Sequence, residues 1–215
     1  MKKILWCGGS HLGTAKESIR SIFAKYDNEF YITAAPKNRD WSKIGGKYFV
    51  DGSIVGDNAH EPGRRVDLGA FDRIIFVGQY IQPQRYVRPS QLLSSALLKA
   101  VLHRDDLFIR LPGGIFNEPL SLFPRIAKKN CVLLCDPWIV SNRSNLLPVE
   151  FMQGFKKKLT NYCLKNSILL LFQPNSTVKW GFYTRRGFRR SSNDKWHFND
   201  DFWRLYIQSL KDKFD

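Results

Sequence analysis

The sequence predicts a three-layer α/β/α sandwich, one domain over residues 1–215 with a mainly parallel sheet at its centre. Three observations predict it. Short apolar runs alternate with amphipathic ones along the whole chain, as expected where strands and helices take turns. The strand-like runs are apolar throughout rather than at every second position, which indicates a sheet covered on both faces. Long irregular stretches follow the strand-like runs, around Gly52 to Gly69, Gln79 to Pro89, Pro137 to Pro148 and Asn175 to Lys195. In open α/β sheets, sites form beyond the carboxyl ends of strands.

The elements follow in order. "KILWC" reads as a buried strand, and from Leu12 an apolar stripe of Ala15, Ile19, Ile22, Phe23 and Tyr26 recurs at helical spacing. "EFYITAA" and "KYFVDGS" read as a second and third strand, and "DRIIFVGQ", bounded by Asp72 and Gly78, as a buried one. "PSQLLSSALLKAVL" reads as a helix with Pro89 and Ser90 at its start. "LFIRL" and "CVLLC" are strand-like, Pro148 to Lys165 is helical, and "SILLLFQ" is a further buried strand. The last helix places Phe202, Leu205, Tyr206 and Leu210 on one face, and Asn199, Asp200 and Asp201 suit its positive N-terminal end.

Composition narrows the partners. Lys and Arg number 34 against 19 acids, a formal charge of +15. Such a balance favours an anionic ligand: nucleic acid, a membrane face, a phosphorylated cofactor or an acidic glycan. No apolar run approaches the roughly 18 residues of a membrane span. The opening "MKKILWC" has too short an apolar part for a signal peptide. The four cysteines, Cys7, Cys131, Cys135 and Cys163, lie in apolar runs and form no CxxC pair. They read as packed thiols of a reduced, cytoplasmic protein, and no metal site is expected. His60 and His103 read as ordinary loop and helix histidines, and Asp105-Asp106 as a solvated turn.

Gly8-Gly9-Ser10-His11 falls where the first strand gives way to the first helix. Glycines permit the tight turn, and the helix aims its unpaired N–H groups back at it. A serine there can cap the helix. It can equally act as a nucleophile, because the same amides stabilise an oxyanion formed beside it. The glycine spacing fits neither GxGxxG nor a P-loop. Far along the chain, "NDKWHFNDDFW" sets Asp194 three residues before His197. One turn of chain lets that carboxylate hold one ring nitrogen while the other faces outward. Whether His197 meets Ser10 is a tertiary matter that spacing leaves open.

Together these segments resemble the SGNH (GDSL-like) hydrolase family. "ILWCGGSHLG" is similar to its first block, with Ser10 as nucleophile, and "DKWHFN" to its last, with Asp194 and His197 completing the triad. "GSIVGDN" is similar to the second block, whose glycine, here Gly56, gives a backbone N–H to the oxyanion. "IIFVGQY" stands where the third block belongs. The resemblance implies a flavodoxin-like fold and Ser-His-Asp ester chemistry, with the oxyanion held by Ser10, Gly56 and Gln79. Gly9 stands where the family has Asp, and the third-block Asn is absent. Position 80 is Tyr, and Gln79 carries the nearest amide.

The resemblance further implies an O-acyl substrate, small or glycan, handled by hydrolysis or acyl (acetyl) transfer. No cofactor is required for hydrolysis; a transferase would use acetyl-CoA, whose phosphates suit the basic surface. His11 and Tyr80 are candidate substrate contacts beside the nucleophile. "KWGFYTRRGFRR" adds Trp180 and Arg185, since aromatic faces stack on sugar rings or bases and arginines grip phosphate or carboxylate. That loop also motivates the alternative of a basic protein binding nucleic acid or anionic glycan, while the absent third-block Asn leaves a non-catalytic relative as another. No RRM, KH or helix-turn-helix signature supports nucleic-acid binding.

Overall fold

The computed structural model describes residues 1–32, 49–50, 53–55, 64–79, 81–83, 94–104, 130–138, 140, 147–194 and 197–214. Among these the central sheet has five strands: β1 (Lys3–Gly8), β2 (Asp27–Ile32), β6 (Arg73–Val77), β7 (Asn130–Leu134) and β8 (Ile168–Leu171). Their spatial order is β2-β1-β6-β7-β8. Every pairing in it is parallel. Counting these strands alone, the order is the 2-1-3-4-5 of flavodoxin-like folds, so the expected fold class is what the chain adopts.

Alternation along the strands divides the core in two. Ile4, Trp6, Ile75, Val77, Val132 and Leu134 face one side. There they meet α1 (Ser10–Ile22) and α4 (Asp200–Lys211), through Leu12, Ile19, Trp203 and Tyr206. Leu5, Cys7, Ile74, Phe76, Cys131 and Leu133 face the other. There they meet α2 (Ser95–His103) and α3 (Val149–Lys165), through Leu98, Phe151, Phe155 and Leu159. Strands apolar on both faces follow directly from burial on both faces. All four cysteines are free and buried.

Several expectations are corrected. "KYFVDGS" adds nothing to the central sheet: β3 (Phe49–Val50), β4 (Ser53–Val55) and β5 (Arg65–Asp67) form a separate antiparallel sheet. The stretch from Gly52 to Gly69, read as irregular, therefore holds two of its strands. The described part of the stretch read as irregular from Asn175 to Lys195, residues 175–194, holds two 3₁₀ turns and a hairpin of β9 (Val178–Lys179) and β10 (Tyr183–Thr184). Short strands with few apolar positions give no periodic signal to read. Helix α2 is described from Ser95, with the Ser94 hydroxyl accepting from Leu97 N at 3.2 Å, and the start read at Pro89 and Ser90 lies outside the described residues. On α4, Leu205 is 40% exposed, while Trp203 and Ile207 are fully buried. "LFIRL" lies outside the described residues.

Candidate active site

Gly8 ends β1 where the chain reverses. A Cβ there would sit 2.7 Å from both Leu12 Cβ and Val77 O. Only glycine lets α1 fold back this close to β6. The N-cap is Gly9, which has no side-chain cap bond, so Ser10 is the first helical residue. The capping role open to Ser10 is thus not the one it plays. Its side chain is exposed, and its N–H is among the donors a helix cannot satisfy internally.

The opposite end of the chain arrives at the same place. Arg190 N donates to His197 O at 3.1 Å and Asn199 N to Phe188 O at 2.9 Å, fixing residues 197–199 against 188–190. The Asn199 side chain caps α4 by accepting from Phe202 N at 3.1 Å. Tyr206, one helical turn on, bonds through its hydroxyl to Cys135 O at 2.9 Å and Leu171 O at 2.7 Å, pinning α4 to the sheet. Burial pushes the Tyr206 phenol well above its ordinary range, which keeps it a donor to those carbonyls.

Asp194 accepts twice from His197: from its backbone N–H at Oδ1, 2.9 Å, and from ring Nδ1 at Oδ2, 2.8 Å. A carboxylate only accepts, so the shared proton sits on Nδ1 and the Nε2 lone pair is left outward. Nε2 lies 3.2 Å from Ser10 Oγ. Hydroxyl, imidazole and carboxylate are thereby in series, within the reach that proton transfer needs.

Two hollows flank Ser10. One is a cleft of about 590 Å³ bordered by Gly13, Thr14, Arg190, His197 and Asn199. The other is a small depression bordered by Gly9, His11, Gly78, Gln79 and Asp136. Gln79 is 2% exposed, and among the described residues its Nε2 has no hydrogen-bond partner. Its backbone N–H is committed to Asp136 Oδ2 at 2.8 Å. His11 directs Nδ1 to Asp136 Oδ1 at 3.1 Å, and its ring packs edge-on to His197, centroids 5.9 Å apart.

Of the other candidates, Gly56 and Tyr80 lie outside the described residues. Trp180 is 63% exposed at the tip of the β9–β10 hairpin, in a left-handed conformation with φ 54°. Arg185 donates from Nε to Val178 O at 3.0 Å, bracing the base of that hairpin. Neither borders the cleft or the depression beside Ser10. Arg190, the last residue of the basic loop read as a candidate wall of the site, borders the cleft, and Asp136, which went unread in the sequence, borders the depression. A single carboxylate closing the buried run "CVLLCD", at a strand's carboxyl end, is the signal that marks Asp136. Among the described residues no group of three or more His, Cys, Asp or Glu is placed to hold a metal ion. No helix among them is long and apolar enough to cross a membrane.

No protein-family model matches the chain, and no curated protein matches it in sequence. Solved structures do resemble it. One is the N-terminal part of a Bacteroides fragilis protein, containing a phosphatase domain and complexed with Mg. It aligns with TM-score 0.50 and 12% identity over 98% of this chain, which spans 51% of that one. A GDSL-like lipase from Bacteroides thetaiotaomicron aligns at 0.47, with 10% identity over 100% of this chain and 89% of the other. An inhibitor-bound aryl esterase from M. smegmatis aligns at 0.40, with 12% identity over 100% and 98%. At 12% identity, the likeness to the first of these is one of fold alone.

Proposed function

We propose that this chain is a serine esterase of the SGNH type, acting through Ser10, His197 and Asp194. One observation carries the reading: His197 bridges Ser10 Oγ at 3.2 Å and Asp194 Oδ2 at 2.8 Å, across 187 positions of sequence. Helix capping needs no histidine at that hydroxyl, and a buried core histidine needs no exposed serine.

In the first half-reaction Nε2 of His197 takes the Ser10 proton as Oγ bonds to the acyl carbon. The carbonyl electrons move to oxygen. The Ser10 N–H and the Gln79 side-chain amide, with Gly56 as the resemblance implies, receive that oxyanion. The tetrahedral adduct collapses, and the alcohol leaves with the proton held on His197. Water then attacks the acyl-serine with His197 again as base, and the acid departs as Oγ regains its proton. Asp194 keeps the tautomer and steadies the imidazolium throughout.

The cleft of about 590 Å³ is within the ordinary size of small-molecule sites. Arg190 on its border favours esters that carry an anionic group. The resemblance, rather than a residue bordering the cleft, is what favours an O-acyl sugar among such esters. An acyltransferase would place a sugar hydroxyl where the hydrolase places water.

Turnover of 4-nitrophenyl acetate tests the reading. The wild type should release nitrophenolate with saturable kinetics, and Ser10→Ala should fall to the rate of buffer. Equal rates for the two proteins contradict it. Adding a sugar acceptor separates the outcomes: acetylated sugar marks a transferase, acetate alone a hydrolase.

A further inference from the structure

Resting on that esterase reading, we infer that Asp136 and His11 are positioning residues for the Gln79 side-chain amide, the oxyanion donor that stands in for the absent third-block Asn. Three parts of the chain meet at the Asp136 carboxylate. Its Oδ2 accepts Gln79 N–H at 2.8 Å and Ile81 N–H at 2.7 Å, so the turn after β6 is wrapped around it. Its Oδ1 holds Nδ1 of His11 at 3.1 Å, the residue next to the nucleophile in the first turn of α1. Its side chain is 2% exposed, so these bonds are made in a dry site, where each counts for more than it would in water.

This arrangement decides which group of Gln79 serves the ester. With its backbone N–H turned onto Asp136, Gln79 cannot offer that amide to the oxyanion. What remains is its side-chain Nε2, buried and without a partner among the described residues, beside the depression that Ser10 shares. Burying an amide with no partner is costly, and an incoming oxyanion supplies the missing acceptor. Gly78 tightens the same corner: φ is +63°, and a Cβ would stand 2.5 Å from Asp136 Oδ1 and 3.1 Å from His11 Nδ1. His11 thus ties the nucleophile's helix to the donor's loop through one carboxylate.

A double-mutant cycle on the full chain tests this, with Ser10-dependent ester turnover as the readout. His11→Leu should lower kcat about 10- to 100-fold with KM nearly unchanged, the scale of a displaced catalytic group. His11→Asn, which retains a donor near the Nδ1 position, should recover most of that loss. Gln79→Ala should lower kcat about 10²- to 10³-fold. In that background His11→Leu should add almost nothing, because the group it positions is gone. Equal loss from His11→Leu in both backgrounds, no recovery by Asn, or an effect confined to KM overturns the positioning role and leaves the esterase standing. Absence of Ser10-dependent turnover in the wild type overturns both.

Discussion

Asp194 borders neither hollow beside Ser10, yet the proposed chemistry depends on it. Its two bonds to His197 fix both the ring's orientation and the nitrogen that carries the proton. Asp194→Asn keeps the size and offers an N–H where an acceptor is needed, favouring the wrong tautomer. It should lower kcat by roughly 10³- to 10⁴-fold with little change in melting temperature. Gly78→Ala should behave differently, because it strains the backbone at φ +63° and crowds Asp136. A loss of about 1–3 kcal/mol of stability in urea titration is expected, with a fall in kcat. At this scale the sequence is readable where chemistry is local. Asp194 and His197 are three residues apart, and Ser10 stands on a glycine corner. Asp136 was not readable, because its partners Gln79, Ile81 and His11 lie 55 or more positions away.

The elements explain why these side chains hold still. Helix α4 begins directly after the Asp194–His197 turn, and Asn199 both caps it and donates from Nδ2 to Gly187 O at 3.0 Å. Asn199→Ala should cost about 1 kcal/mol in chemical denaturation. It should also lower kcat modestly, since the cap anchors the segment bearing His197. Helix α4 shows what a single-face reading misses. Leu205 fits an apolar stripe with Tyr206, but the helix packs against both the sheet and its neighbour α1, and the wide buried face belongs to Phe202, Trp203, Tyr206, Ile207 and Leu210. Aromatic packing sets that rotation: Trp203 and Tyr206 stack at 9°, and Trp203 reaches the His11 ring at 5.8 Å. The long, periodic α3 was legible almost to the residue, whereas the apolar stripe read for α1 ran on to Tyr26 although the helix ends at Ile22. Strand β3 falls inside the run read as a strand, but β4, β5 and the β9–β10 hairpin were not legible, because two- and three-residue strands are fixed by tertiary pairing rather than by their own pattern.

For the whole molecule, the parallel sheet is what brings the chain's ends together. Its strand order leaves α1 and α4 side by side on one face, so a serine near the start meets a histidine near the finish. The same dry interior makes stability fall at high pH. Burial raises Cys131 and Cys163 from 9.0 to about 12. It raises Cys7 and Cys135 as well. Unfolded thiols ionise from about pH 9, whereas the native ones keep their protons. The unfolded state therefore binds fewer protons in that window, and unfolding becomes easier as pH rises. Urea midpoints should drop steadily between pH 9 and 12, and a thiol reagent at pH 8 should leave the native protein unmodified until it unfolds.

The central claim is that Ser10 is a nucleophile made so by His197. Treatment with a fluorophosphonate followed by peptide mass spectrometry reads this directly. The account predicts one phosphonyl adduct, on the peptide holding Ser10, absent in Ser10→Ala and strongly slowed in His197→Ala. An adduct elsewhere, or labelling that survives both substitutions unchanged, would contradict it.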